Sequence, residues 1–324
     1  LFRSHSWGII QKVVGAFAWV LRKFMNISGS EGLVAAGNIF MGMTESPVLI
    51  KNYLPTMNRS EIFLVMVSGM GTIAGSVMGT YIGMLGGTDP AAKVLFATHL
   101  LSASVMAVPG SIVLAKMLCP QTEEATDHVA ISGKEKENSN ILDAISSGTV
   151  TGVKLMTNIA AMLLVFISLV ALANYITEGV IGRYTGLNDW IVKITDGKAQ
   201  GLTFQFILGV ITSPFMWLIG VPSQDIMLVG SLLGQKTILN EFVAYFQLQQ
   251  WKDAGLFMYE KSILMSTYIL CGFANISSIG ILLGGLGVLA PEKRGLISRI
   301  GVPAMIGGAL VSVLSATIIG MILG

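Results

Sequence analysis

Residues 62–85, 94–118, 150–176, 262–290 and 302–323 are each predominantly apolar over at least the ~20 positions a helix needs to cross bilayer hydrocarbon. Segments of this kind leave few folding options, because in lipid every backbone polar group must find its partner inside the protein and a helix achieves this within one segment. Composition agrees: of 324 residues, 53% are hydrophobic and 12% charged, against roughly 25% charged residues in soluble domains. Mean hydropathy is +0.72. An all-α polytopic membrane protein follows, with the lipid bilayer as its solvent. A net charge of +2 gives no basis for binding nucleic acid. The 38 glycines exceed the usual ~7% share and favour close helix packing and interrupted helices.

Other segments depart from this pattern. Residues 9–25, IIQKVVGAFAWVLRKFM, set Lys12, Arg22 and Lys23 among apolar positions, as in an amphipathic helix lying at the interface. Residues 119–140 hold five Asp/Glu against two Lys and read as an aqueous loop, whose acids say little about the side it faces. The apolar pieces 32–50 and 226–248 are each interrupted by an acid, Glu45 and Glu241. An ionisable side chain at the bilayer centre costs roughly 2.5–3.5 kcal/mol and faces a cavity, partner or substrate rather than lipid. Both pieces fit re-entrant hairpins of two half-helices, since irregular backbone at membrane depth is tolerated only inside protein or along a cavity. In the first, Thr44 or Ser46 is suited to cap a helix whose first turn holds Pro47, which puts Glu45 at the tip. The plainer alternative is a pair of buried acids neutralised by protonation or by a neighbour such as Lys236.

The two halves of the chain repeat this order of features. Trp19 and Trp217 precede polar turns at Ser28–Glu31 and Ser223–Asp225; the buried acids follow, fourteen positions after Glu31 and sixteen after Asp225. Next comes a polar-interrupted apolar segment, SGMGTIAGSVMG in one half and CGFANISSIG in the other, and then an uninterrupted span. Paired interruptions at matching places are a pointer to a transport site at the membrane midplane. The second repeat follows the clean span 150–176, whereas nothing comparable precedes the first, so the repeat predicts a helix upstream of Leu1 in a longer chain. Cys119 and Cys271 read as packed thiols, and His5, His99 and His128 form no metal pattern. Asn58 opens a match to a short glycosylation motif. GMGTIAG imitates a phosphate loop but lacks the strand such a loop needs.

The segments GNIFMGMTESPVLI, GTIAGSVMG, LSASVMAVP, NEFVAY and CGFANISSIGILLGGLG resemble, in order, the signature segments of the concentrative nucleoside transporters. The resemblance runs from about residue 8 to the C-terminus. It implies inverted repeats with two re-entrant helical hairpins and two broken transmembrane helices, assembled as a homotrimer in the plasma membrane (the inner membrane in a bacterium). The implied activity is ion-coupled symport of nucleosides, by an elevator movement of a transport domain past a fixed scaffold. No enzymatic activity or cofactor is implied; the coupling ion is Na+, with H+ as the alternative. On this scheme residues 1–27 are an interfacial helix on the scaffold side, 28–118 the first repeat of the transport domain, 119–140 the aqueous loop, 141–221 a scaffold span with an interfacial helix, and 222–324 the second repeat.

Carried over position by position, the resemblance assigns the nucleobase to Met43, Thr44, Glu45 and Val77, and the ribose to Glu241, Asn275 and Ser278 with Phe273 beside them. Sodium falls to the side chains of Asn38 and Thr72 and the backbone carbonyls of Met41 and Ile73, hard oxygens of the kind small cations take. Where the family commonly has Gln before Thr-Glu, this chain has Met43, a thioether that offers ring contact in place of an amide's donor and acceptor. Base selectivity is therefore expected to rest on Thr44, Glu45 and pocket size. Two rival readings differ in class: an intramembrane enzyme using Glu45 and Glu241 as an acid–base pair, which would hold a scissile substrate between them, and a channel, which would repeat its charges around a pore.

Overall fold

The computed structural model describes residues 9–123, 168–195, 197 and 199–324, together with positions 146, 149–150, 153, 157 and 164–165. About half of the expected span 150–176, most of the loop 119–140, and His5 and His128 lie outside the described residues. Those described form helices and connections with no strand.

The chain opens with α1 (Ile9–Met25) and α2 (Gly29–Gly37), followed after a turn by a short 3-10 helix, Ser46–Ile50. Helices α3 (Arg59–Gly71) and α4 (Gly75–Gly86) are separated by the non-helical residues Thr72–Ala74, and α5 (Pro90–Leu118) closes the first half. After α6 (Leu187–Ile194), the second half contains α7 (Phe204–Leu218), α8 (Ile226–Ile238), α9 (Glu241–Asp253), α10 (Glu260–Leu270), α11 (Ile276–Leu289) and α12 (Arg294–Ile322). By length and composition, Arg59–Gly86 taken across its interruption, Pro90–Leu118 and Pro291–Ile322 are each able to cross a membrane.

Local chemistry sets these boundaries. Ser28 and Glu31 form a capping box at the start of α2, as do Asn58 and Glu61 at α3, each box satisfying two N–H groups that a helix start leaves unpaired. The side-chain oxygen of Asn58 thus closes a helix, a local reason for an asparagine there besides the glycosylation match. Asp225 matches Glu31 in sequence order but acts differently: its carboxylate accepts from the N–H groups of Met258 and Tyr259 at 3.0 and 3.1 Å. Neither Thr44 nor Ser46 caps the 3-10 helix. Glu45 holds the N-cap position without a side-chain cap bond, its carboxylate reaching back to Gly42 N–H, while the Ser46 hydroxyl is donated to Oδ1 of Asn38.

Packing repeats along with the sequence. Helix α1 lies on α2 and α7 on α8; α3 and α4 both pack on α5, and α10 and α11 both pack on α12. A Cβ at Gly234 would stand 2.6 Å from Leu208 Cβ, so α7 and α8 approach at a distance only glycine permits. The halves also interlock. One core gathers α2, α3 and α11, a second gathers α4, α8, α9 and α10, and the long helices α5 and α12 contribute to both. Each interrupted helix pair therefore divides its two segments between the cores, and the two interruptions meet where the cores meet.

Candidate functional site

At that meeting point the N–H of Phe273 donates to the carbonyl of Thr72 at 3.3 Å, joining one interruption to the other. Phe273 packs against both cores. The preceding Gly272 has φ +144°, and a Cβ there would lie 2.9 Å from the carbonyl oxygen of Met70, so the crossing needs both the backbone freedom and the missing side chain of glycine.

The first turns of α9 and α11 converge beside this crossing. Asn240 caps α9, accepting from Val243 N–H at 2.9 Å, and Glu241 is the first helical residue. Asn275 caps α11 in the same manner, its Oδ1 accepting from Ser278 N–H at 2.9 Å. Its amide nitrogen donates to Glu241 Oε2 at 3.0 Å, while the Tyr81 hydroxyl, from α4, donates to Oε1 at 3.2 Å. Glu241, Asn275 and Ser278 are 7%, 2% and 1% exposed, so a carboxylate and an amide sit together inside the protein at two helix N-termini, where negative charge is favoured.

Lys236, the neighbour that would have neutralised the acid, turns elsewhere: it donates to the carbonyl of Ile269 and the hydroxyl of Ser312. Among the described residues no basic side chain forms an ion pair with Glu241. The carboxylate is held by two neutral donors and keeps acceptor capacity, since it offers about four lone-pair sites. Asn275 Oδ1 has three donors in reach, Ser278 N–H and the hydroxyls of Ser277 and Ser278 at 2.6 and 3.0 Å. A carbonyl oxygen has two lone pairs, which leaves a hydroxyl able to turn toward a ligand.

A second polar group lies where the C-terminal ends of α2 and α3 meet. Asn38, the C-cap of α2, donates from Nδ2 to the Ser68 hydroxyl at 3.0 Å, and the Thr72 hydroxyl donates to the Ser68 carbonyl at 2.9 Å. Asn38, Thr72 and Ile73 are buried and Met41 is half-buried. Among the described residues no backbone N–H donates to the carbonyls of Met41 or Ile73, so both oxygens are open to an ion.

The remaining expected positions are less closely joined. Thr44 and Glu45 are exposed, and Glu45 Oε2 accepts only a long bond, 3.4 Å, from Gly42 N–H of its own loop. Met43 is 7% exposed and backs onto Gly69, where a Cβ would lie 2.9 Å from its own Cβ. Val77 is buried one turn before Tyr81 on α4. No described hydrogen bond links Glu45 to Glu241, and the acid–base pair of the enzymatic reading is not assembled.

Sequence reasoning missed Tyr81, Ser68 and Ser277. Tyr81 had a readable signal: it stands four positions after Val77 and so shares its helix face. It is fully buried, stacked on Tyr245 at 4.2 Å and edge-on to Phe242 at 5.9 Å.

Comparison with known proteins gives a consistent answer. A family described as Na+ dependent nucleoside transporter C-terminus matches residues 99–320, and one described as nucleoside recognition matches residues 4–88. An uncharacterized transporter of Haemophilus influenzae is 39% identical over 320 residues, covering 98% of this chain and 72% of that protein. Sodium/nucleoside cotransporter 1 of Rattus norvegicus is 38% identical over 329 residues, covering 97% of this chain and 47% of that protein. This chain therefore spans about half the length of the rat relative. The solved structure of CNTnw in an inward-facing substrate-bound state has a TM-score of 0.85 at 35% identity, over 99% of this chain and 72% of that one. A CNTnw variant in an outward-facing state has a TM-score of 0.86 at 34% identity, over 98% and 71%.

Proposed function

The chain belongs to the sodium-dependent, concentrative nucleoside transporter family, and on that premise we propose that it is the portion of a symporter in which nucleoside and sodium are bound. It is a multi-pass plasma-membrane protein and not an enzyme. The ribose hydroxyls bind Glu241 and Asn275, with Ser278 turning a hydroxyl toward the sugar and Phe273 packing beside it. The base lies against Met43, Thr44, Glu45 and Val77. Sodium, carried as cargo, binds the side-chain oxygens of Asn38 and Thr72 and the carbonyls of Met41 and Ile73. Segments 32–50 and 226–248 act as re-entrant hairpins, and α3/α4 and α10/α11 as broken transmembrane helices. They form a transport domain that moves past a scaffold within a homotrimer.

The observation that carries this reading is the Glu241 carboxylate, buried and oriented by Asn275 and Tyr81 yet paired with no base among the described residues. Leaving an acid in that state costs stability, and a vicinal diol supplies the two missing donors. Bonds to an ionised acceptor are about twice as strong as neutral ones, and Glu241 is buried whereas Glu45 is exposed, so the sugar supplies more of the polar affinity than the base. Sodium bound between the first hairpin and the first interruption would tie together the carbonyl ends of α2 and α3. The Phe273–Thr72 bond carries that closure to the ribose site. Accumulation of unmodified radiolabelled uridine or adenosine in proteoliposomes under a sodium gradient tests this. Accumulation that ignores sodium and follows a pH gradient would assign the coupling to protons, and recovery of a cleaved solute would revive the enzymatic reading.

A further inference from the structure

Lys236 has no part in the substrate and ion sites just described, yet its position is costly. It lies in the last turn of α8, is completely buried, and among the described residues forms no ion pair with a carboxylate. Its ammonium donates to the carbonyl of Ile269 at 2.8 Å and to the Ser312 hydroxyl at 2.9 Å; that hydroxyl in turn donates to the carbonyl of Cys271 at 2.8 Å. The charge is thus held by neutral oxygens at the C-terminal end of α10, where unpaired carbonyls carry partial negative charge. Carbonyls and a hydroxyl at a helix C-terminus are also the surroundings in which transporters hold a small cation.

The repeat gives this arrangement a counterpart. In the first half, the end of α2 meets the end of α3, with Asn38 and Thr72 as their C-caps. In the second, the end of α8 meets the end of α10, with Lys236 in the last turn of one and Cys271 as C-cap of the other. Both joints bring two carbonyl-rich helix ends together beside a chain interruption. Among the described residues the first contains amide, hydroxyl and carbonyl groups and no cationic side chain hydrogen-bonded to them; the second has an ammonium bonded within it.

We propose that the Lys236 ammonium is a tethered counterpart of the transported sodium, filling in the second repeat the cation position that the first repeat leaves to an ion. The inference rests on the reading of Asn38, Thr72, Met41 and Ile73 as sodium ligands. Under it, the joint near Glu241 carries its own cationic group and stays closed without sodium, so the dependence of nucleoside binding on sodium arises wholly in the first repeat. One sodium accompanies each nucleoside.

Three proteins test this: wild type, Lys236→Ala, which removes the charge and leaves space, and Lys236→Met, which removes the charge and fills the space. Uridine binding is measured by calorimetry on purified protein across a sodium titration, with and without added methylammonium. Wild type should show a Hill coefficient for sodium of about 1 and no response to methylammonium. Lys236→Ala should bind uridine roughly ten-fold more weakly, within the usual span of coupling between sites. That loss should be reversed by methylammonium, or by sodium with a steeper dependence, whereas Lys236→Met should be weakened without rescue. A Lys236→Ala curve that overlays wild type, or a loss that no cation reverses, overturns the proposal. Should neither variant fold, the charge moved per uridine by wild type in proteoliposomes decides: one positive charge supports the proposal, and two overturn it. Wild-type binding indifferent to sodium would instead refute the sodium reading of the first joint, while methylammonium rescue of Lys236→Ala would still report on the lysine.

Discussion

The side-chain amide of Asn275 donates to Oε2 of Glu241 at 3.0 Å, coupling the first turns of α11 and α9 across 34 positions of chain. Because the same amide also caps α11 through Ser278 N–H, its two functions are separable by substitution. Asn275→Ser keeps a good cap and removes only the amide that reaches Glu241; it should keep most of the wild-type stability and weaken nucleoside binding. Asn275→Ala removes both contacts and should lose about 1 kcal/mol of stability with the cap as well as binding. Thermal unfolding and equilibrium uridine binding on the two variants check this. Equal stability loss in both would show that the amide is structural only.

Tyr81→Phe deletes the hydroxyl that orients Glu241 Oε1 and keeps the ring stacked on Tyr245. Uridine affinity should fall by on the order of 1 kcal/mol, or roughly five-fold, the net worth of one hydrogen bond. Sodium affinity measured without nucleoside should stay as in wild type, because no described hydrogen bond joins the Tyr81 hydroxyl to the proposed ion ligands. An unchanged uridine affinity would place the sugar away from this carboxylate oxygen.

Asn38→Ala and Thr72→Ala each remove an oxygen from the proposed sodium shell and should raise the sodium concentration needed for half-maximal uptake. Ser68→Ala removes only the hydroxyl that accepts from Asn38, so its effect should have the same direction and a smaller size. Coupling at equilibrium is reciprocal, and each variant should bind uridine more weakly at a fixed subsaturating sodium concentration. A changed sodium requirement with unaltered uridine affinity would contradict the coupling.

Gly272→Ala tests the crossing of the two interruptions. The added Cβ would meet backbone atoms of Met70 and Gly71 at 2.9–3.0 Å, at φ +144°. Strained backbone of this kind costs roughly 1–3 kcal/mol, and the clash with backbone adds to it. The thermal midpoint should drop and sodium-driven uptake should weaken with it; an unchanged midpoint would mean that the crossing adjusts freely.

Much of this architecture is legible in the sequence, because the features that show it are the costly ones. Apolar runs of span length suit lipid and mark regular helices, whereas two acids inside apolar segments and polar interruptions at matching places violate what lipid prefers, and each of these marks a position where the structure is irregular or polar. Choices among local hydrogen bonds were harder to read. Thr44, Ser46 and Glu45 all stand near a helix start, and nothing in the sequence reveals that Ser46 Oγ is drawn away to Asn38. Lys236 lies five positions before Glu241, close enough in sequence to suggest an ion pair. Only the folded arrangement shows its ammonium directed to Ile269 and Ser312. Tyr81 supplies a donor to a residue 160 positions away, a contact that exists only once the two halves interlock.

The central claim is that the Glu241 carboxylate receives the ribose hydroxyls, and a double comparison tests it most directly: equilibrium binding of uridine and 2′,3′-dideoxyuridine to wild type and to Glu241→Gln at saturating sodium. Wild type should prefer uridine by at least roughly 1.5 kcal/mol, the lower range for hydrogen bonds to a charged group, and Glu241→Gln should bind both weakly and nearly alike. Retention of the full wild-type preference for uridine in Glu241→Gln would contradict the account, since the hydroxyls would then be recognised elsewhere.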